Sequence, residues 1–212
     1  MRYRRVKSPA EKYERLKEYI IQDAVSKKGM WKDFFGNTHP IFLEMGCGKG
    51  QFLLEMAKQH PEYNYIGVEG QERVLLRSAQ RAYEADIPNV GFIGEYLKAP
   101  GEYFEKGEIQ GLFLNFSDPW PKARHAKRRL THERFLTEYL KFLEKGAEIQ
   151  FKTDNDDLFE FSVEELKRCG FQITEISYDL HNSDCFAKNI TTEYEDKFKS
   201  WEKKIKYLKA MV

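Results

Sequence analysis

Apolar and polar positions fall into short blocks of two kinds along this chain. Ile41 to Met45 is an apolar run that stops at glycines, the pattern of a buried strand. Gln51 to Gln59 then sets Phe52, Leu53, Met56 and Ala57 at helical spacing. Tyr63 to Val68 reads as a second strand ending at Glu69, and Arg73 to Ala85 as a helix stopped by Ile87-Pro88. Val90 to Ile93 and Ile109 to Phe116 are further strands. Thr131 to Leu143 predicts a helix, Ala147 to Phe151 a strand, and Asp157 to Cys169 a helix ended by Gly170. Phe171 to Tyr178 is another strand, and Ile205 to Val212 a candidate last one. Upstream, Tyr13, Leu16, Tyr19, Ile20 and Val25 predict an amphipathic helix over Ala10–Val25.

Strands that alternate with helices over the whole length imply an α/β fold, a mostly parallel sheet with helices on both faces. Residues 1–28 form a basic segment and the amphipathic helix, and residues 29–212 a single domain. In such sheets ligands bind outside the carboxyl ends of the strands. The glycines after Met45, then Glu69, Asn115, Asp118 and the Lys152-Thr153-Asp154 turn all follow strands, so they gather along one edge.

Composition changes this picture little. With 41% hydrophobic and 33% charged residues the chain is globular, not disordered. No apolar run approaches the ~20 residues that span a bilayer. The N-terminus, Arg2 to Lys7, is basic but lacks the apolar stretch of a signal peptide. Cys47, Cys169 and Cys185 are odd in number and widely spaced, which fits reduced thiols in cytoplasm. Without a Cys-x-x-Cys or a close His pair, no metal is predicted. The net charge of +1 points to no partner, but the chain is locally basic at Arg2–Lys7 and Lys122–Arg129.

Two stretches carry chemistry. The first is Glu44-Met45-Gly46-Cys47-Gly48-Lys49-Gly50. Alternate glycines allow a tight turn and close approach of a ligand to backbone. In the dinucleotide fingerprint the third glycine follows the second by three positions, whereas here it follows by two. A carboxylate at Glu44 would repel a pyrophosphate but suits a cation, which favours the sulfonium and ammonium of S-adenosylmethionine over NAD. Glu69, about 20 residues after the loop, stands where an acid grips ribose hydroxyls. The second stretch runs from Leu112 to Leu130. A strand ends at Asn115, and Asp118 follows among the stiff residues Pro119, Trp120 and Pro121. Five of the eight residues from Lys122 to Arg129 are basic. A fixed acid beside a cationic strip suggests chemistry on a polyanion. Positive charge at a helix start opposes the dipole, so the strip reads as a loop, with Thr131 capping the helix that follows.

Taken in order, these stretches resemble the bacterial tRNA (guanine-N7-)-methyltransferases, TrmB-type enzymes of the Rossmann-like class I methyltransferase fold. The resemblance also rests on Phe151-Lys152-Thr153-Asp154-Asn155, on Asp179-Leu180-His181-Asn182-Ser183, and on Thr192-x-Tyr194-Glu195-x-Lys197-Phe198. It implies S-adenosylmethionine as cofactor and tRNA as partner, with 7-methylguanosine in the variable loop as product. It implies Asp118 as the catalytic acid, and Glu44, Gly46, Gly48, Gly50, Glu69, Asn115 and Asp118 around the cofactor. Lys122, Asp154, Thr192, Glu193, Tyr194 and Glu195 would meet the substrate. Arg124, His125, Lys127, Arg128 and Arg129 would meet RNA. Donor–acceptor chemistry would give Asp154 and Glu195 the guanine N1–H and N2 amino group, and Lys122 the O6 or a phosphate.

There are two departures. The family usually places Asp-Ala after the third strand, where this chain has Tyr96-Leu97, so either Glu95 or a backbone group at Tyr96 meets the adenine. The tail has Trp201 and lysines where a glycine turn is expected. Three rivals stay open: a class I methyltransferase for another substrate, a nicotinamide oxidoreductase, and an RNA-binding protein with a decayed cofactor pocket. The chain is expected to act as a monomer or homodimer.

Overall fold

The structure, a computed structural model, describes Glu14, residues 16–199 and residues 203–212. Eight strands form one sheet: β1 Ile20–Ile21, β2 Ile41–Met45, β3 Asn64–Val68, β4 Val90–Ile93, β5 Ile109–Asn115, β6 Leu143–Thr153, β7 Gln172–Ser177 and β8 Lys206–Met211. The helices are α1 Trp31–Phe35, α2 Gln51–Gln59, α3 Glu72–Glu84, α4 Glu133–Tyr139, α5 Asp156–Arg168 and α6 Glu193–Lys199. Among the described residues no helix is long and apolar enough to cross a membrane.

The spatial order is β1-β4-β3-β2-β5-β6-β8-β7, parallel from β1 to β6, with β8 antiparallel to both β6 and β7. The central strands are buried along their length because helices cover both faces, which explains their continuous apolar runs. One core gathers Trp31, Leu43, Ile66, Leu112, Phe142 and Phe159; another gathers Leu53, Tyr65, Ala79 and Phe92. From β2 the chain steps through β3 to β4, then returns to place β5 on the other side of β2. That reversal leaves a crevice at the carboxyl ends of β2 and β5, the place where ligands enter open α/β sheets.

The helix predicted over Ala10–Val25 is not what forms in its second half. Tyr19, Ile20 and Ile21 are buried consecutively, and Ile20–Ile21 pairs with Phe92 and Ile93 of β4. The edge of β4 needs a hydrogen-bonding partner, which outweighs an imperfect helical spacing. Asp23, at φ 48°, then turns the chain into a 3₁₀ turn at Ala24–Lys27. Most of the first half, with Tyr13, lies outside the described residues. The helix predicted over Thr131–Leu143 is shorter, because Leu143 already pairs with Ile109. Thr131 does not cap it. Its hydroxyl is buried against that of Ser162 at 2.7 Å, and His132 accepts the Arg134 N–H instead. The basic strip is a 3₁₀ helix, Ala123–Arg128. The tail strand is present, and it completes the sheet as β8.

Candidate active site

The loop after β2 turns at Gly46, φ 79°, and Gly48, φ 57°, a backbone region that disfavours other residues. A Cβ at either would point into open space, so the turn geometry and the room beside it, not crowding by the protein, call for glycine there. Gly46 and Cys47 both donate to the Val68 carbonyl, at 2.8 and 2.9 Å, which fastens the loop to β3. Gly50 starts α2 and packs against Ser78 and Phe92.

Glu44 and Asn115 face each other across the switch between β2 and β5. The Asn115 amide donates to Glu44 at 2.9 Å, and both side chains are buried. Burial pushes the Glu44 carboxyl up to about 7, against the opposing pull of the Asn115 hydrogen bond and the Lys152 charge. The second oxygen of Glu44 and the amide oxygen of Asn115 have no partner among the described residues. Two buried acceptors without donors, beneath a loop that opens onto space, suit a ligand bearing ammonium or N–H groups. This buried acidic pair, under-partnered and next to a roomy glycine turn, fits S-adenosylmethionine.

Above this pair lies a cavity of about 910 Å³. Its walls include Met45, Gly46, Gly48, Glu69, Glu95, Tyr96, Asp118, Glu193 and Tyr194. Glu44, Gly50 and Asn115, expected around the cofactor, are not among its walls, although their chain neighbours Met45, Lys49 and Phe116 are. Glu69 accepts the Gln71 N–H at 2.8 Å, and burial holds its carboxyl above the ordinary value. Glu95 accepts the Tyr103 hydroxyl at 2.8 Å, which leaves that carboxylate engaged with protein. Tyr96 is exposed and lays its ring on Gly70, where a Cβ would collide with it.

Asp118 sits between two residues in left-handed conformation, Phe116 at φ 50° and Trp120 at φ 43°. For bulky side chains each such conformation costs on the order of 1–3 kcal/mol and persists only where surroundings impose it. The impositions are visible. Phe116 donates its N–H to Lys152 at 2.8 Å and stacks on Tyr194 with ring centroids 6.1 Å apart. Arg129 donates to the carbonyls of Pro119 at 3.0 Å and Trp120 at 3.1 Å. Lys122, Arg124, Lys127 and Arg128 are exposed, and Lys127 and Arg128 line the mouth. His125 and Arg128 pack on the Trp120 ring. Arg129, expected at the RNA surface, is buried instead.

The Thr192–Glu195 segment divides in two. Glu193 reaches the glycine loop and α3, pairing with Lys49 at 3.0 Å and Arg81 at 2.9 Å, and with Tyr194 it walls the cavity. Thr192 and Glu195 turn inward. Thr192 accepts the Glu195 N–H at 3.0 Å. Glu195, fully buried, pairs with Lys152 at 3.3 Å, accepts the Asn189 amide at 2.6 Å and lies 3.0 Å from His181. It occupies an internal ion pair and not the cavity wall expected for a base contact. Asp154 lies off the wall as well, paired with Lys203 at 2.5 Å.

From sequence, Lys152 is placed in a turn at the sheet edge but given no role, and Arg134 is not singled out. Lys152 is a lysine inside an otherwise buried strand end, bonded to Asn189, Ile190 and Glu195, and that oddity was its signal. Arg134 follows the basic strip by a few positions and lines the cavity; nothing in its local pattern marks it. Among the described residues no group of three or more His, Cys, Asp or Glu side chains is placed to hold a metal ion.

Comparison with known proteins adds the lineage. A family model described as putative methyltransferase matches residues 38–208. A tRNA (guanine-N(7)-)-methyltransferase of Listeria welshimeri is 50% identical over 197 residues, which is 92% of each chain. One of Bacillus cytotoxicus is 48% identical over 190 residues, 88% of this chain and 87% of the relative. A solved structure of an antibiotic-related methyltransferase superposes with a TM-score of 0.66 at 16% identity, over 92% of this chain and 96% of the other, which shows the shared fold. Nearly the whole chain aligns at about half identity, so it belongs to the tRNA (guanine-N(7)-)-methyltransferases, within that methyltransferase family.

Proposed function

We propose that this chain methylates N7 of a guanine in the variable loop of tRNA. The observation that carries the reading is the single cavity that joins an acidic, glycine-turned floor to a mouth bearing Asp118 and the basic strip. Glu44, with Asn115, receives the cationic end of the cofactor, and Glu69 receives its ribose. Tyr96, through its ring or backbone, and Glu95 flank the adenine end. When bound, S-adenosylmethionine supplies an electrophilic methyl group on a sulfonium.

The protein's own work is alignment and charge. Guanine N7 is an acceptor with a lone pair, so no residue has to remove a proton before attack. Positioning alone supplies about 7–11 kcal/mol in favourable cases. Asp118 offers a fixed carboxylate where the purine ring gains positive charge. Glu193 and Tyr194, which wall the cavity, receive the base, exposed Lys122 offers a donor to its O6 or a phosphate, and Asp154, off that wall, stays paired with Lys203. Thr192 and Glu195 support that wall from inside. Arg124, His125, Lys127 and Arg128 meet the tRNA backbone. The three free cysteines and the tRNA substrate support action in the cytoplasm.

The test is transfer of a labelled methyl group to unmodified tRNA transcripts, with the product nucleoside identified. 7-Methylguanosine from the variable loop is expected. Another methylated nucleoside, or no transfer by a protein that still binds the cofactor, overturns the reading.

A further inference from the structure

The basic strip ends in a residue that does not behave like the rest of it. Arg124, Lys127 and Arg128 are exposed, whereas Arg129 keeps 9% of its surface. Its Nε–H donates to the Pro119 carbonyl and an Nη2–H to the Trp120 carbonyl, at 3.0 and 3.1 Å. Its guanidinium lies 4.4 Å from the centroid of the Phe161 ring on α5. Two carbonyl dipoles and a ring face are what this cation holds. The fork geometry of arginine suits two acceptors one residue apart, and lysine cannot reproduce it.

The place it grips matters. Pro119 follows Asp118, and Trp120 is one of the two left-handed residues that bracket that acid. Trp120 in turn carries the His125 ring and the Arg128 guanidinium, and Trp120 and Arg128 line the cavity. A loop bent into an unfavourable conformation stays there only while something holds it. We infer that Arg129 is a positioning residue for methyl transfer: it braces the Asp118–Pro121 turn against α5 and contributes little to phosphate neutralisation. The inference rests on the reading of Asp118 as the acid at the reaction site.

Arg129→Lys and Arg128→Gln in the full chain separate bracing from RNA contact. For Arg129→Lys, turnover at saturating tRNA and cofactor should fall on the order of 100-fold, the scale of a slightly misplaced reacting group. Arg129→Gln removes the charge as well, and its log–log salt slope for tRNA binding should still match that of the unaltered protein. Arg128→Gln should lower that slope by about one. A slope lowered by about one in Arg129→Gln, with turnover intact in Arg129→Lys, overturns the inference. Arg side-chain NMR on the unaltered protein keeps the test independent of variant folding. The Arg129 Nε–H signal should be protected and unmoved by tRNA, while those of Arg124 and Arg128 shift. An Arg129 signal that moves with theirs contradicts bracing. Asp118→Asn, run alongside, distinguishes the two readings. Full turnover there overturns the role of the acid. Lost turnover there with full turnover in Arg129→Lys overturns the brace.

Discussion

Glu44 is a carboxyl whose protonation the fold has moved to the edge of neutrality, from an ordinary 4.5 to about 7. The sign of its effect follows from proton counting. Between pH 4.5 and 7 the unfolded chain releases this proton and the folded one keeps it, so stability falls as pH rises through that window. Below 4.5 the contribution is fully present, and above 7 it is gone. The whole swing is ~3 kcal/mol. In denaturant titrations across this range, Glu44→Gln should lack that portion of the decline; identical pH profiles would dismiss the assignment. A cationic ligand favours the ionised form, so cofactor affinity should climb as pH rises toward 7, by up to tenfold per unit. Calorimetric titration of Glu44→Gln should show that climb removed. Asp118 makes a simpler case. Asp118→Ala should lose roughly 100-fold in turnover, the scale of one electrostatic stabiliser, while binding cofactor as before. Undiminished turnover would take Asp118 out of the chemistry.

At the scale of elements, α6 is held over the glycine loop from two sides. Outside, Glu193 pairs with Lys49 and Arg81, and Gln51 donates to Asp196 at 2.7 Å. These pairs are partly exposed and worth little in stability. Inside, Lys152 and Glu195 form a buried ion pair, both at 0% side-chain exposure. Burial pulls the Lys152 ammonium below its ordinary range even though Glu195 and Glu44 favour its charge. Removing one member strands the other, so Lys152→Met should cost about 3–5 kcal/mol. Lys152→Met combined with Glu195→Gln should recover at least half of that. A double variant as unstable as the sum of its singles, measured by urea unfolding, would mean the two are not coupled.

Across the whole molecule, the charges that matter are distributed and not summed. A net charge of +1 says nothing of a polyanionic partner, yet Lys127 and Arg128 line the cavity mouth, Arg134 joins them from α4, and Arg124 is exposed on the same strip. Neutralising Arg124, Lys127 and Arg128 together should lower the salt slope of tRNA binding by roughly two to three, since each released counterion contributes about 0.9. An unchanged slope would place the RNA surface elsewhere.

The sequence by itself determined whatever depends on local repetition or on a residue's own chemistry. The limits of α2, β2 and β4 were legible because their spacing and their flanking glycines and prolines are local signals. So was the acid–glycine–glycine–glycine loop, because left-handed turns and cation binding dictate those residue types. Tertiary structure alone decided what depends on a distant neighbour. Ile20–Ile21 became a strand because the edge of β4 lay open beside it, and β8 runs antiparallel because it fills the gap between β6 and β7. Arg129 and Glu195 read as surface charges on a motif, yet both are buried. Their partners, two carbonyls on one loop and a lysine on another strand, meet them only when the chain has folded.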